Sequence, residues 1–208
     1  MGIDYRYLLS FDQDACFDVL ERLAEMAVPG SDHGPTTLVL PDRTVTLPYS
    51  AWFHTGSRLD WDDPSPTWDF MAVLCFEPDE DIEDYLDRVD FRLSEAENDD
   101  HHDELGRATI GYVYLTVHRD MAEWPSGTDD DLVLFEFGTT GSRMSTLFFA
   151  SESIRRTFIG LLESCRGVYG LLDMEERAEL FWLRGLERSE QLPTAEMPLV
   201  ELERLTTR

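Results

Sequence analysis

The sequence predicts an α+β fold, in which a mainly antiparallel sheet carries helices packed on one face. Apolar residues alternate along some segments with a spacing of two, which is typical of strands, and recur along others every three to four residues, which is typical of helices. Several neighbouring strand segments are joined by short turns, which requires antiparallel pairing. A ferredoxin-like core with added strands would satisfy this order of elements.

The first predicted elements are a strand and a helix. Apolar and polar side chains alternate over residues 3–9, as expected for a strand. Between residues 12 and 27 the apolar positions follow helical spacing, and a Pro-Gly pair then stops the helix. The two short β-like runs 37–40 and 44–47 predict a hairpin.

The middle of the chain alternates between loops and regular elements. Residues 49–68 form a predicted loop with tryptophan anchors, and the near-continuous apolar run 70–76 predicts a central strand. A short helix is expected over 82–89, with acidic residues before it that favour the helix dipole. The alternation over 108–118 predicts a long strand.

The last third of the chain is predicted to begin with a hairpin formed by 132–137 and 143–150. A helix is expected over 152–165, capped by Ser151 or Ser153. A short strand over 168–172 and a helix over 174–186 complete a single predicted domain spanning residues 1–186. Residues 187–208, which are rich in Glu and contain two prolines, are expected to form a surface tail.

The net charge of the chain indicates which kinds of partner it can bind. There are 43 Asp plus Glu against 17 basic residues, all of them Arg, which gives a net charge of −26. Such a field repels nucleic acid and anionic membranes and attracts cationic partners. The same acidity also fits a role in solubility or an adaptation to a salt-rich cytoplasm.

Several features predict a cytoplasmic protein with no membrane segment. The chain contains no stretch of about 18 apolar residues, and its first residues do not follow the signal-peptide pattern. The three cysteines, Cys16, Cys75 and Cys165, are widely spaced in apolar surroundings. Buried free thiols of this kind suit a reducing compartment.

No motif of a known catalytic or metal site is found. His101 and His102 are adjacent within an acidic run, so their side chains do not have the convergent spacing of a zinc site. The acidic runs lack the ligand order of an EF-hand. The turn at 138–142 lacks the Lys of a P-loop and is followed by a predicted strand rather than a helix. We therefore expect neither a metal nor a cofactor.

These observations favour a non-catalytic acidic protein that docks a basic protein, and the neutralising, immunity-type partner of a toxin is the most concrete form of that hypothesis. Acidic runs would steer the partner, and large aromatic side chains would anchor it, although the tryptophans also suit the core. The residues predicted to contact the partner are Asp79, Glu80, Asp81, Asp129, Asp130, Asp131, Trp52 and Trp61.

The alternative is a small enzyme whose site is assembled only in three dimensions. A pocket that brings together a histidine and a carboxylate of shifted pKa would favour the enzyme. A shallow acidic surface flanked by exposed aromatic side chains would favour the binding protein.

Overall fold

The computed structural model describes residues 2–28, 34–40, 42–51, 58–88, 101–120 and 131–206. The longer strands are β1 (Arg6–Asp12), β3 (Thr36–Val39), β4 (Thr44–Leu47), β6 (Arg58–Asp60), β7 (Thr67–Phe76), β8 (Ala108–His118), β9 (Leu132–Gly138), β10 (Tyr169–Asp173), β11 (Ala178–Leu183) and β12 (Leu186–Leu192). Two short strands are β2 (Ala27–Val28) and β5 (Ser50–Ala51). The α-helices are α1 (Cys16–Glu25), α2 (Glu80–Leu86), α3 (Ser142–Ala150), α4 (Glu152–Ser164) and α5 (Leu199–Thr206).

The described residues form a central antiparallel sheet of nine strands. Its order is β12-β11-β10-β1-β9-β8-β7-β2, and β5 also pairs with β7. A second sheet has the order β4-β3-β6, in which β3 and β6 are parallel. The predicted α+β class with a mainly antiparallel sheet is confirmed. Strand β1 lies between β9 and β10, which are connected through α3 and α4. This split β-α-β arrangement suits a ferredoxin-like core, which stays a prediction.

Helices cover both faces of the sheet, which corrects the predicted one-sided packing. On the first face, alternate side chains of β1, β7, β8 and β9 form one core cluster with buried residues of α1, α2, α3 and α4. On the second face, Leu8, Leu134 and Leu171 pack in another cluster with Leu199 and Leu202 of α5. Because successive strand residues point to opposite faces, strands β1, β9, β10 and β11 contribute side chains to both clusters.

The predicted hairpin over 132–137 and 143–150 is wrong in its second half. Residues 143–150 lie in α3, where Met144, Leu147 and Phe148 are buried. Their spacing of three and four residues is helical, but the β-forming Phe and Leu side chains favoured the strand interpretation. The turn at 138–142 therefore leads from a strand into a helix.

The predicted helix over 174–186 is also wrong, because this part of the chain forms the β11–β12 hairpin. All six residues of β11 are buried, so its apolar run has no alternation that would distinguish a strand from a helix. Arg184 and Gly185 make the turn with φ of 47° and 82°. The segment expected to be a surface tail then contains most of β12 and the partly buried helix α5.

Other elements agree with the predictions, with shifted ends. Strand β8 occupies the predicted residues, and α4 begins after Ser151 as its cap. The first strand begins at Arg6 and continues to Asp12, and the helix after it is shorter than predicted. Among the strands of the described ranges, the predicted central strand, β7, lies close to one edge of the sheet, with β2 and β5 beyond it.

The predicted core is largely confirmed. The apolar spacing within the predicted elements places eight large side chains in the core, Phe17 and seven others, and those seven are buried: Leu20, Leu74, Phe76, Leu134, Leu147, Phe158 and Leu162. Phe17 is only half-buried at the edge of the first cluster. The three cysteines are buried and carry free thiols. Of the helices in the described part of the chain, none is both long and apolar enough to cross a bilayer.

Candidate partner-binding surface

Helix α2 begins at Asp79, which is held within the fold. Its carboxylate accepts hydrogen bonds from the Ile82 amide at 2.9 Å, the Ser151 hydroxyl at 2.8 Å and the Ser153 amide at 2.9 Å. Partial burial raises the pKa of the Asp79 carboxyl, but the hydrogen bonds from Ser153, Ile82 and Ser151 outweigh burial and hold the pKa below its ordinary value. Asp79 therefore joins the start of α2 to the α3–α4 junction.

Glu80 and Asp81 follow Asp79 and are exposed. Only Ile82 of this first turn points into the core, so the carboxylates of α2 face outward. Asp84 is also exposed and pairs with Arg88 at 2.8 Å. Within the described ranges neither Glu80 nor Asp81 has an ion-pair partner. The outer side of α2 is therefore an acidic strip.

A groove of about 350 Å³ separates α2 from α3. The helices run antiparallel, because the start of α2 is bonded to the end of α3 and Arg143, at the start of α3, donates a 2.6 Å hydrogen bond to the Arg88 carbonyl. The α2 side of the groove contributes Asp81, Asp84 and Arg88, and α3 contributes Arg143, Leu147 and Ala150. The groove therefore has an acidic end beside Ala150 and a basic end beside Arg143.

The far side of α3 carries an exposed aromatic ring. Phe149 is 52% exposed, although its ring lies 6.2 Å from that of Tyr5 in an edge-on arrangement. Residues 3–5 are held along α3 because the Ile3 amide donates to the Ser142 hydroxyl at 2.9 Å. Thr146 is exposed one helical turn from both Phe149 and Ala150. An exposed strip thus connects the groove to the aromatic ring.

We call the exposed residues of this region the α2–α3 surface. It consists of Glu80, Asp81, Asp84, Thr146, Phe149 and Ala150. The spacing of the acidic residues was readable in the sequence. Phe149 was missed because residues 143–150 were assigned to a strand, and a helical assignment would have placed it away from buried Met144, Leu147 and Phe148.

The remaining residues predicted to contact a partner lie elsewhere or outside the described residues. Trp61 is half-buried, with its ring 4.9 Å from that of Phe17 and 5.6 Å from that of Trp68. The Arg119 guanidinium stacks on Trp61 at 5.0 Å and donates to its carbonyl at 2.7 Å. Asp131 is exposed just before β9. Trp52, Asp129 and Asp130 lie outside the described residues.

The structure therefore does not combine all the predicted residues into one site. Trp61 packs against α1, whereas Asp79, Glu80 and Asp81 begin α2 beside the α3–α4 junction. Of the predicted residues that the structure describes, those at the acidic start of α2 lie beside the groove and near the end of α3, where Phe149 is exposed.

A second polar cluster was not anticipated and lies on the sheet. Arg6 of β1 donates to Glu136 of β9 at 2.9 Å and to Asp173 of β10 at 2.8 Å. The other oxygen of Glu136 lies 3.0 Å from Nε2 of His118 in β8. The sequence feature that could have predicted this cluster is the presence of polar residues at alternate positions of these strands. The sequence does not reveal, however, which strands are neighbours.

The sheet-face cluster is a partly buried network of polar side chains. Burial raises the pKa of the Glu136 carboxyl, but His118 and Arg6 outweigh burial and lower the pKa below its ordinary value. A carboxylate that orients a histidine is also the arrangement of many general bases. In the part of the chain that the structure describes, no three His, Cys, Asp or Glu side chains are arranged to hold a metal ion.

Comparison with protein-family models, with curated proteins and with solved structures finds no match for this chain.

Proposed function

We propose that this protein is a non-catalytic binding protein whose α2–α3 surface docks a basic protein partner. The observation that carries the proposal is the exposed Phe149 ring, which lies one helical turn along α3 from Thr146 in the wall of a groove, and the opposite wall of that groove contains Asp81 and Asp84 of α2. An immunity-type neutraliser of a basic toxin is the most concrete form of this function. The negative charge of the chain disfavours nucleic acid and anionic membranes as partners, and we expect the protein to act in the cytoplasm.

The two parts of the surface have complementary physical roles. Exposed carboxylates speed encounter with a cationic partner, but each exposed ion pair adds only about 0.2–1 kcal/mol to affinity. Burial of an aromatic side chain at an interface contributes more, with about 2 kcal/mol or more for a hot-spot residue. Phe149 would therefore anchor the complex, and Asp81 and Asp84 would set its rate of formation and its salt dependence.

The proposal is tested by capturing the partner from lysate with the wild-type protein and then measuring the affinity of the purified pair. The test variants are Asp81→Arg/Asp84→Arg and Phe149→Ala. The matched control is Glu187→Arg/Glu190→Arg, which makes the same change in net charge on exposed residues of β12. We expect each test variant to weaken binding about tenfold or more, which corresponds to about 1.4 kcal/mol, and the control to weaken it little.

Equal losses in both charge-reversal variants would show that only the overall charge matters, and the proposal would then be abandoned. The same conclusion follows if no captured partner survives moderate salt, because indiscriminate attraction between exposed charges is screened.

The sheet-face cluster favours a second candidate function, in which His118 serves as the general base of an enzyme. The supporting observation is the 3.0 Å contact between His118 and a Glu136 carboxyl of lowered pKa. Screening the protein against ester, amide and phosphoester substrates tests this function. An activity lost in His118→Ala but retained in Phe149→Ala would favour the enzyme over the binding protein.

A further inference from the structure

We infer that the groove between α2 and α3 receives an arginine side chain of the partner, while an apolar side chain close to that arginine covers Phe149. This inference rests on the proposed function and specifies the chemistry that the partner must present. The groove lies between two packed helices, its ends differ in charge, and the exposed aromatic ring is one helical turn away.

The charge gradient of the groove fixes where a cation would sit. Asp81 lies toward the end next to Ala150, Arg88 and Arg143 lie at the opposite end, and Asp84 lies between them, 2.8 Å from Arg88. A cationic side chain is attracted to the first end and repelled from the second, so that it has one preferred position and direction of entry.

The resident ion pair does not block that position. The Asp84–Arg88 pair is exposed on both sides, with side-chain exposures of 61% and 71%, and i,i+4 pairs of this kind contribute about 0.3–0.5 kcal/mol. Asp81 has no ion-pair partner among the described residues. An incoming cation therefore has one uncommitted carboxylate and one that is only weakly held.

Arginine fits this end better than lysine. Asp81 and Asp84 are three residues apart on one helix, a spacing that places their Cβ atoms about 5–6 Å apart. A planar guanidinium presents several N–H donors in a fixed fork and can bridge two carboxylates, whereas an ammonium acts as a point charge. The methylene stem of the arginine would pack on Leu147 and Ala150, which form the apolar side of the groove.

The position of Phe149 defines the second contact. Thr146 lies one helical turn from Phe149 and one turn from Ala150, and Ala150 is at the acidic end of the groove. Two neighbouring residues of the partner can therefore reach the groove and Phe149 at the same time. In an extended segment, side chains two residues apart point the same way and are separated by about 6.6 Å. The segment that fits is therefore an arginine with a leucine or aromatic residue two positions away.

The test uses a capped tetrapeptide, leucine-glycine-arginine-glycine amide, titrated into the isotope-labelled protein and followed by amide chemical shifts. We expect perturbations at α2 and α3 with an affinity near the millimolar range, and an approximately fivefold or greater loss when citrulline replaces arginine. Asp81→Asn/Asp84→Asn should cause a similar loss, whereas Glu187→Gln/Glu190→Gln, on β12, should not. Replacing the peptide leucine by glycine and making Phe149→Ala remove the same contact, so each change should weaken binding and the two losses should not add.

Equal binding of the citrulline peptide, perturbations away from α2 and α3, or no binding at millimolar peptide would overturn the inference. Failure of the inference is distinguishable from failure of the proposed function. If a captured partner depends on Phe149 and the acidic strip but the peptide does not bind, only the arginine assignment is lost. If the captured partner is indifferent to both, the proposed function fails as well.

Discussion

The hydroxyl of Ser151 donates a 2.8 Å hydrogen bond to the carboxylate of Asp79, and each of these residues caps a helix. Asp79 accepts from the Ile82 amide at the start of α2, and Ser151 accepts from the Ile154 amide at the start of α4. The two caps are therefore one hydrogen-bonded unit. A residue predicted from its charge to contact a partner is thus also bonded to the fold.

The linked caps predict a non-additive loss of stability. Asp79→Ala removes the cap of α2 and the acceptor for Ser151, and it should lower the free energy of unfolding by about 2 kcal/mol. Ser151→Ala should cost about 1 kcal/mol, and the double variant less than the sum of the two. Urea unfolding measures all three variants. Glu80→Ala, at an exposed neighbouring position, is the control, and strict additivity would contradict the linkage.

The lowered pKa of Glu136 predicts a loss of stability in acid. A carboxyl whose pKa is lower in the folded than in the unfolded state stabilises the fold at a pH above its unfolded value. That contribution is lost as the pH falls through the folded pKa. Glu136→Gln should therefore be less stable at about pH 7 and should lose less stability than wild type between about pH 5 and about pH 3. Parallel curves of unfolding free energy against pH would refute this.

Two adjacent arginines of α4 should differ sharply in importance. Arg155 donates to both oxygens of Glu179 at 3.1 and 2.7 Å, in a pair whose side chains are 22% and 11% exposed. Arg155→Ala should cost about 1.5–3 kcal/mol because it leaves a largely buried carboxylate without its partner. Arg156 pairs with Glu152 in solvent, so Arg156→Ala should change stability by about 0.5 kcal/mol at most. Thermal or urea unfolding compares the two, and similar losses would contradict the assignment.

The C-terminal helix should be part of the cooperative fold. Leu202 of α5 is 0% exposed in the second core cluster, and Val200 is 47% exposed on the same helix. Leu202→Ala should lower the free energy of unfolding by about 2–5 kcal/mol, whereas Val200→Ala should have little effect. Unfolding followed by circular dichroism provides the measurement. A neutral Leu202→Ala would mean that α5 packs independently of the sheet.

Local pattern predicted the elements that have one buried face. Strand β8 was predicted over its full length because its apolar residues alternate regularly, and the amphipathic α4 was predicted within one residue. The sequence of strand β11 does not show this alternation, because both of its faces are buried and α5 covers the second one. Its burial depends on residues that follow it in the chain, so local spacing cannot reveal it.

The site was predicted only where local charge determined it. The acidic start of α2 was visible as a run of carboxylates after a proline. The hydrogen bonds from Ser151 and Ser153 to Asp79 join residues more than 70 positions apart, and they give the Asp79 carboxylate a structural role that local charge does not reveal. Predicting the groove likewise requires knowing that α2 and α3 are neighbours. The residue pattern within either helix does not contain that information.

The central position of β1 has a consequence for the biosynthesis of the protein. Leu8 pairs with Glu136 on one side and with Leu171 on the other, so both neighbours of the first strand come from the second half of the chain. While the ribosome makes the intervening residues, both edges of β1 stay without the strands that will cover them. Folding governed by such distant contacts is slow, and a strand that waits with open edges is prone to pair with other chains. The yield of folded protein in a cell should therefore depend on how well β1 is shielded until translation is nearly complete.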